Sequence, residues 1–309
     1  MTKDVFQCMG ALPRIALIHG PTPLIEAPRL SERLGAQLAI KRDDLTPIGA
    51  GGNKLRKLEF IMAKVLSQGA TSVVTTGGVQ SNHARLTAAV AARLGLKCYL
   101  RLKGQQPAAP SGNVLLDHLF GADLDYWDLP NYEAVNLRMA DFIALHAAGG
   151  EKTCAIPLGG ATAEGTLGYA LAFSEICEQM PDRLPPDYIV LAAGTGSTQA
   201  GLLLGAKLSG AGTRILGVSV SWSRAVLVAE VTRHVSDAAS HLGISVRLDP
   251  SDVWIEDGYV GDGYGRFSAA GRSALELTAQ LEGVLLDSTY TAKAMSGLIG
   301  EVGKTTIPK

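Results

Sequence analysis

The chain has 309 residues, 47% of them hydrophobic and 18% charged, enough to bury a large core and to divide into two domains. Its formal net charge of -1 at pH 7 gives no positive excess for a phosphate backbone or an anionic membrane, so neither nucleic acid nor a membrane is expected as a partner. The first fifteen residues carry Lys3 and Asp4 and lack a long apolar run, and no stretch approaches a membrane span, so a cytoplasmic location is expected. Cys8, Cys98, Cys154 and Cys177 are scattered without a C-x-x-C pair; all four read as buried, reduced thiols. The six histidines are equally dispersed, and no metal is expected.

In chain order, a strand-like run over 37–41 leads to a helix over 54–67, where Leu58, Ile61, Met62 and Val65 recur at helical spacing and Arg56, Lys57 and Glu59 fall largely on the other side. A strand over 71–75 precedes a helix over 82–94, and a strand over 97–102 precedes helices over 113–120 and 132–148. Strands over 153–156, 188–193 and 214–220 then alternate with helices over 163–179 and 198–208, and a last helix covers 268–281. Alternation of nearly all-apolar strands with amphipathic helices predicts an α/β fold with mainly parallel sheets covered by helices on both faces. The expected division is a larger domain of 1–50 with 165–309 and a smaller one of 51–164, with Gly-rich turns at 49–52 and 159–160 as crossing points.

In such sheets ligands bind beyond the carboxyl ends of strands, so the loops that follow strands matter most. The first is Lys41-Arg42-Asp43-Asp44-Leu45-Thr46-Pro47, followed by Gly49 and by Gly51-Gly52-Asn53-Lys54-Leu55-Arg56-Lys57. A lysine opening a helix opposes the helix dipole. Set against a helix N-terminus and other cations, its amine can have a lowered pKa that suits bonding to an aldehyde; taken alone, however, the motif favours Lys54 and Lys57 as exposed helix lysines. The second loop, Thr75-Thr76-Gly77-Gly78-Val79-Gln80-Ser81-Asn82-His83, offers Ser81 or Asn82 as a helix cap, or a helix start able to take a carboxylate. In the third, Ala193-Gly194-Thr195-Gly196-Ser197-Thr198, glycines and hydroxyls make a phosphate cradle. The rival dinucleotide reading needs an acid near the end of the next strand, and none occurs before Glu230. Tyr264 and Tyr290 read singly as packed aromatics.

Together, Gly-Gly-Asn-Lys-x-Arg-Lys, Gln-Ser-Asn-His and Asp-x-x-Tyr resemble the tryptophan-synthase-β-like (fold type II) enzymes that use pyridoxal 5'-phosphate (PLP), and within them the family of 1-aminocyclopropane-1-carboxylate deaminase and D-cysteine desulfhydrase. The resemblance runs from Pro21-Thr22-Pro23-Leu24 to Tyr290-Thr291. It implies two domains, each a mainly parallel twisted sheet covered by helices, with the larger one binding the cofactor. Lys54 would carry PLP as a Schiff base and Lys57 would meet its phosphate. Asn82 would bond the phenolic oxygen, and Gly194, Thr195, Gly196, Ser197 and Thr198 would hold the phosphate. Ser81, with Asn82 and His83, would receive the substrate carboxylate, while Tyr264, Tyr290 and Thr291 would face the substrate.

The resemblance further implies a lyase acting on a small amino acid, giving pyruvate and ammonia, and a homodimer. D-cysteine leads as substrate, because Thr291 stands where ring-opening relatives carry Glu. L-cysteate follows, with Arg224 as a partner for its sulfonate; then ring-opening deamination; then PLP binding without turnover. The family pattern continues into a final apolar strand and a Thr-Gly-Gly turn, and the sequence given ends at Lys309 before that point.

Overall fold

A computed structural model describes residues 2–308, with the side chains of residues 2–5 left aside. Its first half contains α1 (Thr2–Gly10), β1 (Leu24–Glu26), α2 (Pro28–Leu34), β2 (Ala39–Lys41), α3 (Lys54–Ser67), β3 (Ser72–Gly78), α4 (Asn82–Arg93), β4 (Lys97–Lys103) and α5 (Gly112–Leu119). There follow β5 (Asp123–Trp127), α6 (Tyr132–Ala148), β6 (Thr153–Ile156), α7 (Ala163–Gln179), β7 (Tyr188–Ala193), α8 (Ser197–Ser209) and β8 (Arg214–Ser219). The last elements are α9 (Arg224–His241), β9 (Trp254–Glu256), α10 (Ala269–Glu282) and α11 (Thr291–Gly303). Two units emerge: among the described residues, those up to 11 with 22–42 and those from 166 on form one, and residues 12–21 and 43–165 form the other. Residues 12–21 and 43–50, expected with 165–309, therefore belong with 51–164. The reason is local bonding: Ile15 donates its N–H to the Glu59 carbonyl at 2.9 Å, and Asp43 pairs with Arg56.

The 43–165 unit is built on a parallel sheet in the order β5-β4-β3-β6. β3 reads Ser-Val-Val-Thr-Thr-Gly-Gly and is buried along six of its seven residues, as a strand covered on both faces must be. α4 lies against this sheet with small residues; Ala84, Ala88 and Ala91 are fully buried, which lets backbone approach backbone. Ser81 caps α4 by accepting the Ala84 N–H at 3.2 Å. α3 departs from its expected two-sided pattern. Arg56, Lys57 and Glu59 are buried because each charged tip finds a partner inside: Asp43 for Arg56, the Gly159 carbonyl for Lys57, and the N–H groups of Leu17 and Ile18 for Glu59, at 2.9 and 3.0 Å.

The other unit carries a parallel sheet in the order β7-β8-β9 and an antiparallel ribbon of β1 and β2, so the run expected over 37–41 is not a parallel-sheet strand. α9 buries Leu227, Val231, His234, Val235 and Ala238 along one side, a 3.6-residue stripe. α11 is rich in glycine for packing reasons: a Cβ at Gly297 would collide with Val218 and one at Gly300 with Tyr259. The cysteines also depart from expectation. Only Cys98 is buried; Cys8 is exposed, and Cys154 and Cys177 are half-buried, all four free. No helix among the described residues is long and apolar enough to cross a membrane.

Candidate active site

Two constellations stand out, one in each unit. In the 43–165 unit the backbone leading to Lys54 runs through Gly49, Ala50, Gly51 and Gly52 at φ 59°, 63°, 72° and 134°, a left-handed stretch that glycine tolerates and other residues resist. A Cβ at Gly51 would overlap the Asp44 carbonyl. Side chains clamp this path: Arg85 donates to the carbonyls of Gly49 and Gly51, the latter at 2.9 Å, and Thr46 Oγ1 accepts the Gly52 N–H at 2.8 Å. Arg56 grips Asp43 with two bonds of 2.9 and 2.8 Å. The first residue of α3 is thereby fixed in place.

That residue is Lys54. Burial lowers its pKa to about 8, against a hydrogen bond with Lys57 that raises it. Lys57 is fully buried, and its pKa falls well below the ordinary lysine range, from burial first and the Lys54 charge second. Two desolvated ammonium groups in contact cannot both stay charged. Burial, and not the helix N-terminus or neighbouring cations, is the larger cause of the lowered Lys54 pKa.

The β3–α4 loop delivers Ser81, Asn82 and His83 to the same unit. Asn82 donates from Nδ2 to Asn53 Oδ1 at 3.1 Å, next to Lys54 in sequence, and its own Oδ1 is buried without a hydrogen-bond partner. His83 is 2% exposed and lies 2.9 Å from Thr75 Oγ1 through Nε2. The Thr75 proton goes to the Ile156 carbonyl at 2.7 Å, so Nε2 carries the histidine proton and donates it. In the neutral ring Nδ1 is then a bare lone pair without a hydrogen bond; on protonation it would gain a donor toward the Pro157 carbonyl, which acts to raise the pKa. Burial, then Lys54 and Lys57, push that pKa well down, so His83 is a neutral buried neighbour of the lysine pair.

In the other unit, β7 ends at Ala193 and α8 begins at Ser197, with Gly196 as its cap at φ 81°. No side chain caps this helix start. Its first N–H groups and the Ser197 and Thr198 hydroxyls stand at the positive end of a 13-residue helix. A Cβ at Gly196 would lie 2.9 Å from Val231. Tyr290 belongs to the same neighbourhood, with Cε1 3.8 Å from where a Cβ on Gly194 would sit. Its hydroxyl is 2.6 Å from that of Tyr264. Burial raises the Tyr264 pKa, offset by the Tyr290 hydrogen bond and reinforced by Asp287.

Asp287 organises this corner. Its Oδ2 accepts the N–H groups of Thr289 and Tyr290, and its Oδ1 the N–H and hydroxyl of Thr291, all at 2.7–2.8 Å. The Thr291 hydroxyl also accepts the Asp287 N–H at 2.7 Å, so it is committed to the turn. Arg224 is similarly occupied, bonding Glu256 at 2.8 Å. Sequence reasoning assigned no role to Arg85, Asp287 or Lys293. Asp287 stands inside the Asp-x-x-Tyr motif, and Lys293 lies between Ala292 and Ala294, a lone cation in an apolar stretch.

Taken unit by unit, the desolvated Lys54 amine suits an aldehyde and the Asn82 amide N–H group can donate to a phenolic oxygen, while in the other unit the helix start after Gly196, with no side-chain cap, suits a phosphate. The pyridoxal-phosphate dependent enzyme model matches residues 15–307. The chain belongs to this family of PLP enzymes. It is 41% identical over 299 residues to D-cysteine desulfhydrase of Klebsiella pneumoniae (strain 342), covering 95% of this chain and 89% of that protein. The D-cysteine desulfhydrase of Salmonella enteritidis PT4 is 41% identical over 298 residues, with 94% and 89% covered. Among solved structures, an ACC deaminase homologue superposes with a TM-score of 0.90 at 37% identity, covering 98% of this chain and 91% of that one. Processed threonine deaminase isoform 2 from Solanum lycopersicum shares the fold, with a TM-score of 0.68 at 18% identity over 99% of this chain and 81% of that one. This PLP enzyme has the fold type II architecture expected from its sequence.

Proposed function

We propose that this PLP enzyme is a lyase that breaks the Cβ–S bond of D-cysteine, so that cysteine and water give sulfide, pyruvate and ammonia. The observation that carries the reading is the Lys54 amine, with its pKa near 8, in a chain 41% identical to D-cysteine desulfhydrases. Lys54 would hold the cofactor through that amine, and Lys57 would meet its phosphate. Gly194, Thr195, Gly196, Ser197 and Thr198 would take the phosphate on the start of α8. Asn82 would donate from Nδ2, which carries two N–H groups, to the phenolic oxygen. When bound, PLP supplies an electron sink for the pair left at Cα.

The chain's own groups do the rest. Ser81 and the start of α4 receive the substrate carboxylate; this helix end, with Ser81 as its cap, presents N–H groups of the required sign. The freed Lys54 amine moves the Cα proton, and the Tyr264–Tyr290 pair moves the proton that accompanies the leaving sulfur. His83 supports the lysine pair from within the core, and Thr291 serves through the Asp287 turn, since its hydroxyl is engaged there.

Ring opening of aminocyclopropane carboxylate is the second reading, favoured by the likeness to an ACC deaminase homologue. It ranks lower because Thr291 supplies no carboxylate after Tyr290. L-cysteate ranks below that, since the Arg224 guanidinium already pairs with Glu256. A homodimer in the cytoplasm completes the proposal. Exposed Leu115 and Leu119 on α5, and Leu137 and Leu145 on α6, support association, and analytical ultracentrifugation tests it. The function is tested by incubating the holoenzyme with D-cysteine, L-cysteine, L-cysteate and aminocyclopropane carboxylate and assaying sulfide, sulfite and keto acid. Sulfide and pyruvate from D-cysteine, well above every other product, are expected. Keto acid from the cyclopropane alone would replace this reading with ring opening, and no product from any of them would leave a binder without turnover.

A further inference from the structure

Lys293, on the first turn of α11, is completely buried. Its ammonium donates to the backbone carbonyls of Val260 and Gly263, each at 2.8 Å. No carboxylate bonds it; Asp262 and Asp287 act on it only as nearby charges, while burial lowers its pKa. A buried ammonium satisfied by neutral carbonyls is a costly way to fasten a loop, and the loop it fastens ends at a tyrosine of the candidate site. Gly263 is the residue before Tyr264, at φ 112°.

The 257–268 segment between β9 and α10 includes Gly258, Gly261, Gly263 and Gly265. A glycine-rich path has many conformations to lose on ordering. Helix α11 restrains it at two points. Tyr259 donates its hydroxyl to Glu301 at 3.0 Å, and Lys293 takes the carbonyls at 260 and 263. Tyr290 caps the same helix, three residues before Lys293. One helix thus carries one tyrosine at its start and grips the backbone that presents the other. The influences on the Tyr264 hydroxyl are burial, Tyr290 and Asp287, so the Lys293 charge reaches that tyrosine through backbone placement.

We propose that Lys293 is a positioning residue that sets the distance between the Tyr264 and Tyr290 hydroxyls by holding the carbonyls of Val260 and Gly263. This rests on the reading of the two tyrosines as the proton-transfer pair for elimination. A tyrosine displaced by about an ångström loses on the order of a hundredfold in rate, while substrate binding, which uses other groups, changes little.

The experiment combines Lys293→Met, Lys293→Gln and Tyr264→Phe, singly and as the Lys293→Met/Tyr264→Phe pair, in PLP-loaded enzyme. Steady-state turnover of D-cysteine is measured together with amide hydrogen exchange over residues 257–268. In Lys293→Met, kcat falls by on the order of a hundredfold, KM moves by less than about threefold, and exchange in that segment accelerates. Lys293→Gln, which keeps two N–H donors without the charge, recovers part of both. In the Tyr264→Phe background, Lys293→Met costs less than about threefold further, because both changes remove one function. Full additivity in the double variant, or unchanged exchange over 257–268 in Lys293→Met, would overturn the proposal. Should Lys293→Met fail to fold, Lys293→Gln in both backgrounds carries the same comparison. Exchange needs no substrate, so a wild type that releases no sulfide refutes the function while the positioning role is still judged on that readout.

Discussion

The hydroxyl of Tyr264 lies 2.6 Å from that of Tyr290, 26 residues further along the chain. At that separation one proton sits on the line between the two oxygens, and either atom can be its donor. The Asp287 turn fixes Tyr290 through its N–H, so the pair is held by backbone as well as by side chains. Tyr290→Phe keeps the ring and its packing but removes the shared proton. Turnover of D-cysteine should fall by about two to four orders of magnitude, with PLP still bound. Full elimination activity in Tyr290→Phe would reduce the residue to a packed aromatic.

Cofactor capture should follow the Lys54 titration. Its neutral amine is the form that bonds an aldehyde, and its pKa is about 8. The rate of PLP uptake by apoenzyme should therefore rise with pH through about 8 and level off above it. Removing the Lys57 hydrogen bond, which raises that pKa, moves the midpoint lower in Lys57→Met. Stopped-flow absorbance over pH 6–10 checks both; an upward shift in Lys57→Met would contradict the coupling.

The same titration has a stability consequence with a definite sign. Between about 8 and the ordinary lysine value of 10.5, unfolded chains hold the Lys54 proton and folded ones do not. Stability of the apoprotein then rises with pH across that window, because the unfolded state binds more protons. Subtracting the urea-unfolding profile of Lys54→Met from that of wild type isolates this rise, and a flat difference would refute the lowered pKa.

The phosphate cradle makes two predictions. Gly196→Ala forces a side chain into φ 81° and against Val231, a strain of about 1–2 kcal/mol before the contact is counted, and should weaken PLP binding at least tenfold. Thr198→Asp or Ser197→Asp sets like charge beside the phosphate and should cost on the order of several kcal/mol of PLP affinity in dry surroundings. Equilibrium dialysis measures all three; unchanged affinity would move the phosphate elsewhere.

Beneath the site, Arg56→Met leaves the Asp43 carboxylate without its two-bond partner. Loss of one member of a largely buried ion pair costs about 3–5 kcal/mol. Denaturant unfolding of apoenzyme should show a loss of this size, and a change below about 1 kcal/mol would mean that Asp43 finds another partner.

Much of this was legible in the sequence because it rests on local rules. The apolar strands before the loops at 76–81 and 194–196 announced their carboxyl ends, and Ser81 announced a helix cap. The misses have physical causes. β5 alternates Asp123, Leu124, Asp125 and Tyr126, and its exposed aspartates hid a strand whose Asp123 pairs with Arg101. Glycines suppressed the helical signal of α11, since their packing reason lies in distant Val218 and Tyr259. Burial of Arg56, Lys57 and Glu59 was invisible because their partners stand at residues 43, 159 and 17–18, beyond any helical period. The family resemblance supplies the site roles; spacing alone favours Lys54 as an exposed helix lysine.

The central claim, that Lys54 carries the cofactor, is met most directly by reducing PLP-loaded enzyme with borohydride and mapping the fixed pyridoxyl group by peptide mass spectrometry. Lys57, three residues away and just as desolvated, is the internal competitor. The account predicts the label on Lys54, and its absence from every lysine in Lys54→Ala together with loss of pyruvate release from D-cysteine. A label on Lys57, or undiminished turnover in Lys54→Ala, would contradict it.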